Sequence, residues 1–311
     1  MAKLSDLKRS ATHRVLIFGG PKTGKSLLAG KLAEKYKLIW IDLENGHDVL
    51  FQLPEAWQEN IELVNIPDTR SYPIAIETCL KMVKGKVDIC EAHGKVACMI
   101  CKKNAAPSIT LDLPNLTHDT VVVFDSLTQL SNSAIAHITR TEPEDYKLNY
   151  DDWGNLGKLL EIFLSHIQQA GYNVIVISHE CEAETEGKKK TLVPVGGTRN
   201  FSRNIAKYFD HVVYAEMRMK KHVFASATNY SSTIQTGSRT GVSLEAAGQD
   251  ASLLQIFMPE LYANASSLPS SVPNTILPNA NTGVAKGTSV DKPKGNANLN
   301  SADILNRLRN K

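Results

Sequence analysis

Residues 19–26, Gly19-Gly20-Pro21-Lys22-Thr23-Gly24-Lys25-Ser26, fit the pattern G-x-x-x-x-G-K-[S/T]. Glycines let such a loop curl until successive backbone N–H groups face inward, where they can cradle phosphate oxygens. A lysine at the seventh position reaches the β- and γ-phosphates, and a hydroxyl at the eighth completes the shell of a Mg²⁺ ion. The chemistry implied is binding of ATP with Mg²⁺. A chance match in a glycine-rich turn is the competing reading. A second constellation is Cys90-x-x-His93-x4-Cys98-x-x-Cys101, three of the chain's five cysteines and a histidine within a dozen residues. Paired ligands spaced by two residues form turns that can close a tetrahedral Zn²⁺ site, with all four positions filled by protein and therefore a structural role. Unrelated cysteines beside a surface histidine are the alternative.

These groups need elements to hold them. Arg14–Phe18 (RVLIF) reads as a buried strand, and the segment from Ser26 to Ala33 as an amphipathic helix. Strand, glycine loop and helix are the context that the phosphate pattern requires. Further strands are expected at Leu38–Asp42, Ile61–Ile66, Val121–Phe124 and Val174–Ile177, with helices over Pro73–Lys84 and Trp153–Ala170. Short apolar strands alternating with helices predict an α/β fold with a central, mostly parallel sheet. After Phe209 the pattern turns strand-like, which predicts an antiparallel edge. Asp125 closes the apolar run Val121–Phe124, the position from which a carboxylate reaches the nucleotide's metal. A helix N-cap is the other reading of that position.

Composition excludes some classes. The 311 residues carry a formal net charge of +3, too mild to announce nucleic acid, so any such function must rest on local features. The first 13 residues lack the apolar core of a secretory signal, and no run approaches the roughly 20 apolar residues of a membrane span. A cytoplasmic protein without membrane contact is expected. Three divisions are expected: a short N-terminal segment (1–13), an ATPase core (14–262) with the cysteine insert at 85–104, and a flexible tail (263–311) rich in Ser, Pro, Asn, Ala and Gly. The tail ends in a short amphipathic stretch (302–309), which is either idle or a docking peptide.

Four separated stretches resemble the RecA recombinase core in the right order. Ile41-Asp42-Leu43-Glu44-Asn45-Gly46-His47-Asp48-Val49-Leu50-Phe51 is similar to that family's I-D-A-E-x-x-x-D-x-x-Y, and Ile66-Pro67-Asp68-Thr69 to its Q-P-D-T. Val123-Phe124-Asp125-Ser126-Leu127-Thr128-Gln129-Leu130 resembles V-V-D-S-V-A-A-L, and Ile177-Ser178-His179 stands where the family has I-N-Q. The resemblance covers roughly residues 14–217 apart from the cysteine insert. It implies a RecA-like P-loop ATPase in which Glu44 orients and deprotonates the attacking water and Asp125 serves the Mg²⁺. It also implies that Asp48 faces the adenine amino group, Phe51 stacks on the base, and His179, in place of the family's glutamine, senses the γ-phosphate. With only about a dozen residues ahead of the first strand, the trimmed core is similar to the phage-encoded, RecA-like single-strand annealing proteins of the Sak-four type.

The same resemblance implies a homo-oligomer, ring or filament, acting on single-stranded DNA in annealing or recombination, with DNA-stimulated ATP hydrolysis. Two loops would line the DNA: Ser131–Asp152, with Arg140, Tyr146, Lys147 and Tyr150, and Glu180–Arg203, with Lys188, Lys189, Lys190, Arg199 and Arg203. Arg239, Lys220 or Lys221 would reach a neighbouring subunit's γ-phosphate. The tail would bind a single-strand-binding or other replication protein. A RecA-fold helicase or helicase loader, and a nucleotide-switched binding module with little turnover, are the alternatives.

Overall fold

The computed structural model describes residues 12–184, 189–228 and 230–262. The N-terminal segment to residue 11, Lys188 and the tail from residue 263 lie outside the described residues.

In chain order the elements are β1 (Arg14–Gly19), α1 (Lys25–Gly30), β2 (Lys37–Asp42), α2 (Glu55–Gln58), β3 (Ile61–Asn65) and α3 (Ala75–Met82). The cysteine insert follows as β4 (Val87–Cys90), α4 (Met99–Lys103) and β5 (Ser108–Leu111). Then come β6 (Thr120–Asp125), α5 (Leu127–Ile138), α6 (Tyr150–Gln168), β7 (Asn173–Glu184), β8 (Lys190–Pro194) and α7 (Arg199–Ser202). The described chain closes with β9 (His211–Arg218), β10 (Lys221–Ala225), β11 (Gly237–Ser238), β12 (Glu245–Ala247) and α8 (Leu254–Phe257).

The main sheet runs β12-β10-β9-β1-β7-β6-β2-β3. The six strands from β9 to β3 are parallel, and β10 turns back antiparallel on β9. This is the α/β fold with a mostly parallel sheet and antiparallel edge expected above. Its strands are apolar on both faces because both are covered. Leu16, Phe18, Ile41, Val122, Phe124 and Val176 pack with α3, α5 and α6. Val15, Ile17, Leu38, Trp40, Val123 and Ile175 pack on the other side with α1 and α8. Parallel register sets Gly19 beside His179 and Asp42 beside Asp125, so the groups of interest gather at one end of the sheet.

Two expected loops are shorter than the sequence suggested. Residues 131–138 of the first belong to α5, and α6 starts at Tyr150 under an Asn149–Asp152 capping box, leaving 139–149 as the connection. Within the second, β7 runs on to Glu184 and pairs antiparallel with β8. That hairpin hides in the sequence because its strands carry charges. One pair forms across the ladder, with Lys190 Nζ 2.9 Å from Glu182 Oε2, while Ala183 and Val193 turn inward.

Candidate functional site

The glycine loop leaves β1 and enters α1 through Gly24, whose φ of 86° lies in the left-handed region. The His222 ring packs against Gly24, where a Cβ would come within 3.0 Å of its Nδ1. The Lys25 ammonium folds back on the loop, donating to the carbonyls of Gly19 at 3.1 Å and Gly20 at 2.6 Å. Burial draws Lys25 below its ordinary pKa, against the raising pull of Asp125, Glu44 and Glu180. Thr23 Oγ1 donates to the Gly20 carbonyl at 2.9 Å and fixes the loop's curl. Pro21 and Lys22 stand exposed at its crest.

Ser26 Oγ donates to Asp125 Oδ2 at 2.8 Å, joining the start of α1 to the end of β6. Asp125 is not the helix cap. Ser126 is, its Oγ accepting from the Gln129 N–H at 3.2 Å, which leaves the Asp125 carboxylate to Ser26. Burial pushes Asp125 up to about 7, against the Ser26 hydrogen bond. Two hard oxygens facing each other at hydrogen-bond distance, one on a buried carboxylate, are a fitting donor pair for Mg²⁺.

Glu44 follows β2 in a turn held by Asp42. The buried Asp42 carboxylate accepts from the N–H groups of Glu44 (3.1 Å) and Gly46 (3.2 Å), and His47 Nδ1 lies 2.6 Å from its other oxygen. Glu44 Oε1 accepts from Ser126 Oγ, and His179 Nε2 stands 3.8 Å away. His179 and then Ser126 hold the Glu44 carboxyl below its ordinary range, against the pull of burial. His179 is fixed by its backbone, its N–H on Thr128 Oγ1 at 2.9 Å and its carbonyl accepting from Val195 of the segment after β8. The structure thus brings Lys25, Ser26, Glu44, Asp125 and His179 together.

Asp48 and Phe51 lie in a 3-10 turn, His47–Gln52. Phe51 is 69 % exposed and faces a small cavity with His47, Leu50 and Leu63. The larger cavity beside the glycine loop, about 810 Å³, is lined instead by Gly24, Lys31, Gln52, Trp57, His222 and Asp250. Lys220 and Lys221 line this same cavity on their own chain. Arg239 donates to the Lys207 carbonyl.

Sequence reasoning missed Asp42, His47 and Ser126, which position Glu44. It also missed Glu180, whose Oε1 would stand 3.4 Å from a Cβ on Gly20 and whose other carboxylate oxygen is buried with no hydrogen bond among the described residues. The pairing of Ser126 with Glu44 spans 82 residues, so no local spacing signals it.

Of the residues expected on DNA, Arg140, Lys147, Tyr150 and Arg199 are exposed; Tyr150 starts α6, and Arg199 starts α7. Tyr146 is tied down, its hydroxyl donating to Asp152 at 2.7 Å, and Lys190 is engaged by Glu182.

The cysteine insert forms a β4–β5 hairpin. The ligand atoms of Cys90, His93, Cys98 and Cys101 lie within 4.8 Å of one another. His93 Nδ1 stands 3.1, 3.7 and 3.8 Å from the sulfurs of Cys101, Cys98 and Cys90. A tetrahedral zinc with its usual bond lengths has ligand–ligand edges of about 3.6–3.8 Å, so the donor set fits. The backbone N–H of Cys101 draws the Cys98 thiol down to about 7.

A family model described as AAA domain matches residues 11–243. A search of curated proteins finds no match. Among solved structures, an ATPase from the type III secretion system of pathogenic bacteria is similar at 15% identity and a TM-score of 0.39, over 73% of this chain and 57% of that one. A second solved structure, itself an ATPase domain, is similar at 11% identity and a TM-score of 0.40, over 77% of this chain and 81% of that one. The chain therefore spans a little over half the length of the first of these. No helix among the described residues is long and apolar enough to cross a membrane. The family model spans most of the chain, and with its glycine loop and Ser26–Asp125 pair at the end of a mostly parallel sheet the chain belongs to the AAA domain family and is a nucleotide-binding P-loop ATPase.

Proposed function

We propose that this ATPase binds single-stranded DNA and promotes annealing or recombination in phage DNA metabolism, working as a homo-oligomer. One observation carries the reading. His179 faces Glu44 from β7, and the same strand continues without a break into the β7–β8 hairpin. A change at the γ-phosphate felt by His179 therefore moves the base of a hairpin that is followed by Arg199 and Arg203.

In this account Lys25 binds the β- and γ-phosphates and Glu44 takes the proton of the attacking water. Ser126 and His179 aim the Glu44 carboxylate, and Asp42 fixes the turn that carries it. Ser26 and Asp125 would hold Mg²⁺, which offsets phosphate charge when bound. Cys90, His93, Cys98 and Cys101 would hold a structural zinc that supplies the folding energy of a small insert. The division into an ATPase core of residues 14–262 and a partner-binding tail belongs to this proposal.

The test is annealing of complementary labelled oligonucleotides followed by fluorescence transfer, with a forked-duplex displacement assay beside it. Faster annealing with no displacement supports the reading. Displacement driven by ATP hydrolysis gives the chain to the helicases instead. Neither activity, with slow turnover indifferent to DNA, leaves a nucleotide-switched binding module.

A further inference from the structure

We propose that the cysteine module carries on its outer face a third contact for single-stranded nucleic acid, built from Met99, Ile100, Lys102 and Lys103. The proposal rests on the reading that DNA is the substrate and adds a site outside the two segments expected to line it.

The face is made by the ligand spacing. α4 starts directly after Cys98 and contains Cys101, so both cysteines turn inward to the cluster and are buried. The residues between them must then point away, and Met99 and Ile100 are 78 % and 64 % exposed. Single exposed apolar residues are ordinary, but two neighbours on a turn pinned at both ends form a fixed apolar tip. Lys102 and Lys103 follow at once, both exposed.

Charge selects the occupant. Residues 84–104 hold five lysines, at 84, 86, 95, 102 and 103, against two acids, Asp88 and Glu91. Asp88 is already engaged by Thr110 Oγ1 at 2.7 Å. Among the described residues none of Lys84, Lys86, Lys102 and Lys103 forms an ion pair. Apolar side chains offer a surface for unstacked bases, and free ammonium groups beside them neutralise phosphates. A purely apolar partner helix would leave these lysines without counter-charge.

Position supports the same occupant. Gly94, at φ 60°, is locked against the strand-end segment after β3, since a Cβ there would come within 2.9 Å of Ile66 Cα and Pro67 Cδ. Thr78 Oγ1 donates to the Gly94 carbonyl at 3.1 Å. Lys95 Nζ stands 5.9 Å from the centre of the Tyr72 ring, which is 37 % exposed. Two residues back, Arg70 donates to the Glu144 carbonyl at 2.9 Å, in the 139–149 connection expected to meet DNA. The module is thus fastened to the end of the sheet that carries the nucleotide site, and a chain of contacts joins it to the first DNA segment.

The experiment is anisotropy of a labelled oligo-dT with the zinc-loaded 311-residue chain, over a series of salt concentrations. Zinc content and ATP affinity, unchanged in each variant, verify the fold. Lys102→Ala/Lys103→Ala is expected to weaken binding and to reduce the slope of log K against log salt by about 1.4, at about 0.7 per phosphate contact. Met99→Ser/Ile100→Ser is expected to weaken binding with the slope retained. Wild-type affinity and slope in both variants overturn the proposal. Normal DNA binding with lost self-association gives the face to a second copy and overturns it equally. Failure of the unaltered protein to bind oligo-dT defeats the DNA reading itself, a separate result.

Discussion

His179 Nε2 lies 3.8 Å from Glu44 Oε1, joining the middle of β7 to the turn after β2 across 135 residues of sequence. The distance is that of an ion pair when the imidazole is protonated, and it leaves the carboxylate free to take a water's proton. Ser126 supplies the hydrogen bond that His179 at this distance does not.

Replacing Glu44 by Gln keeps the shape and the Ser126 contact while removing the base. Steady-state ATP hydrolysis is expected to fall by about two to four orders of magnitude, the usual contribution of general base catalysis, while ATP affinity is retained. Full activity in Glu44→Gln removes Glu44 from the chemistry.

The pH profile carries a related prediction. His179 and Ser126 lower the Glu44 pKa from its ordinary value of 4.5, so the carboxylate stays ionised further into acid. A lowered carboxyl stabilises the fold above the ordinary value, and that contribution is lost as pH falls through the folded value. Removing the imidazole in His179→Ala should therefore move the acid limb of kcat upward in pH, towards the ordinary carboxyl range. An unmoved limb means that His179 does not act on Glu44.

Asp42 is a positioning residue. Asp42→Ala strips the acceptor from two backbone N–H groups and from His47, at a cost of about 2 kcal/mol in stability. With Glu44 misplaced, kcat is expected to fall on the order of tenfold to a hundredfold with KM little changed. A KM effect alone would instead mark the turn as part of nucleotide binding.

Metal analysis should find one zinc per chain, and Cys98→Ser should lose it. Chelation is expected to speed amide exchange across residues 97–106, whose own cluster is only the cysteines and Ala106, while Val87, Ile89 and Leu111 of the hairpin pack into the main core and stay protected with β6. A metal-free chain with residues 97–106 equally protected would show that the cysteines need no ion.

Much of this site was legible in the sequence because its parts sit at the ends of apolar strands. The run Val121–Phe124 announces β6 and so places Asp125, and the glycine loop marks the turn out of β1. What stayed hidden depends on distance or on pairing. Asp42 reads as the last residue of a strand until the fold closes its turn, and nothing in the sequence joins Ser126 to Glu44, 82 residues away. The β7–β8 hairpin reads as loop because its strands are charged, and the Lys190–Glu182 pair appears only once the ladder forms. The cavity beside Gly24 gathers Gln52, Trp57, His222 and Asp250 from four separate segments, and no motif joins them.

The most direct test is the rate of ATP hydrolysis with and without single-stranded DNA, measured on the unaltered protein and on Lys25→Ala. Turnover is expected to rise on adding DNA and to be abolished in the variant. Turnover that is absent or indifferent to DNA, or that survives loss of Lys25, would contradict the proposed function.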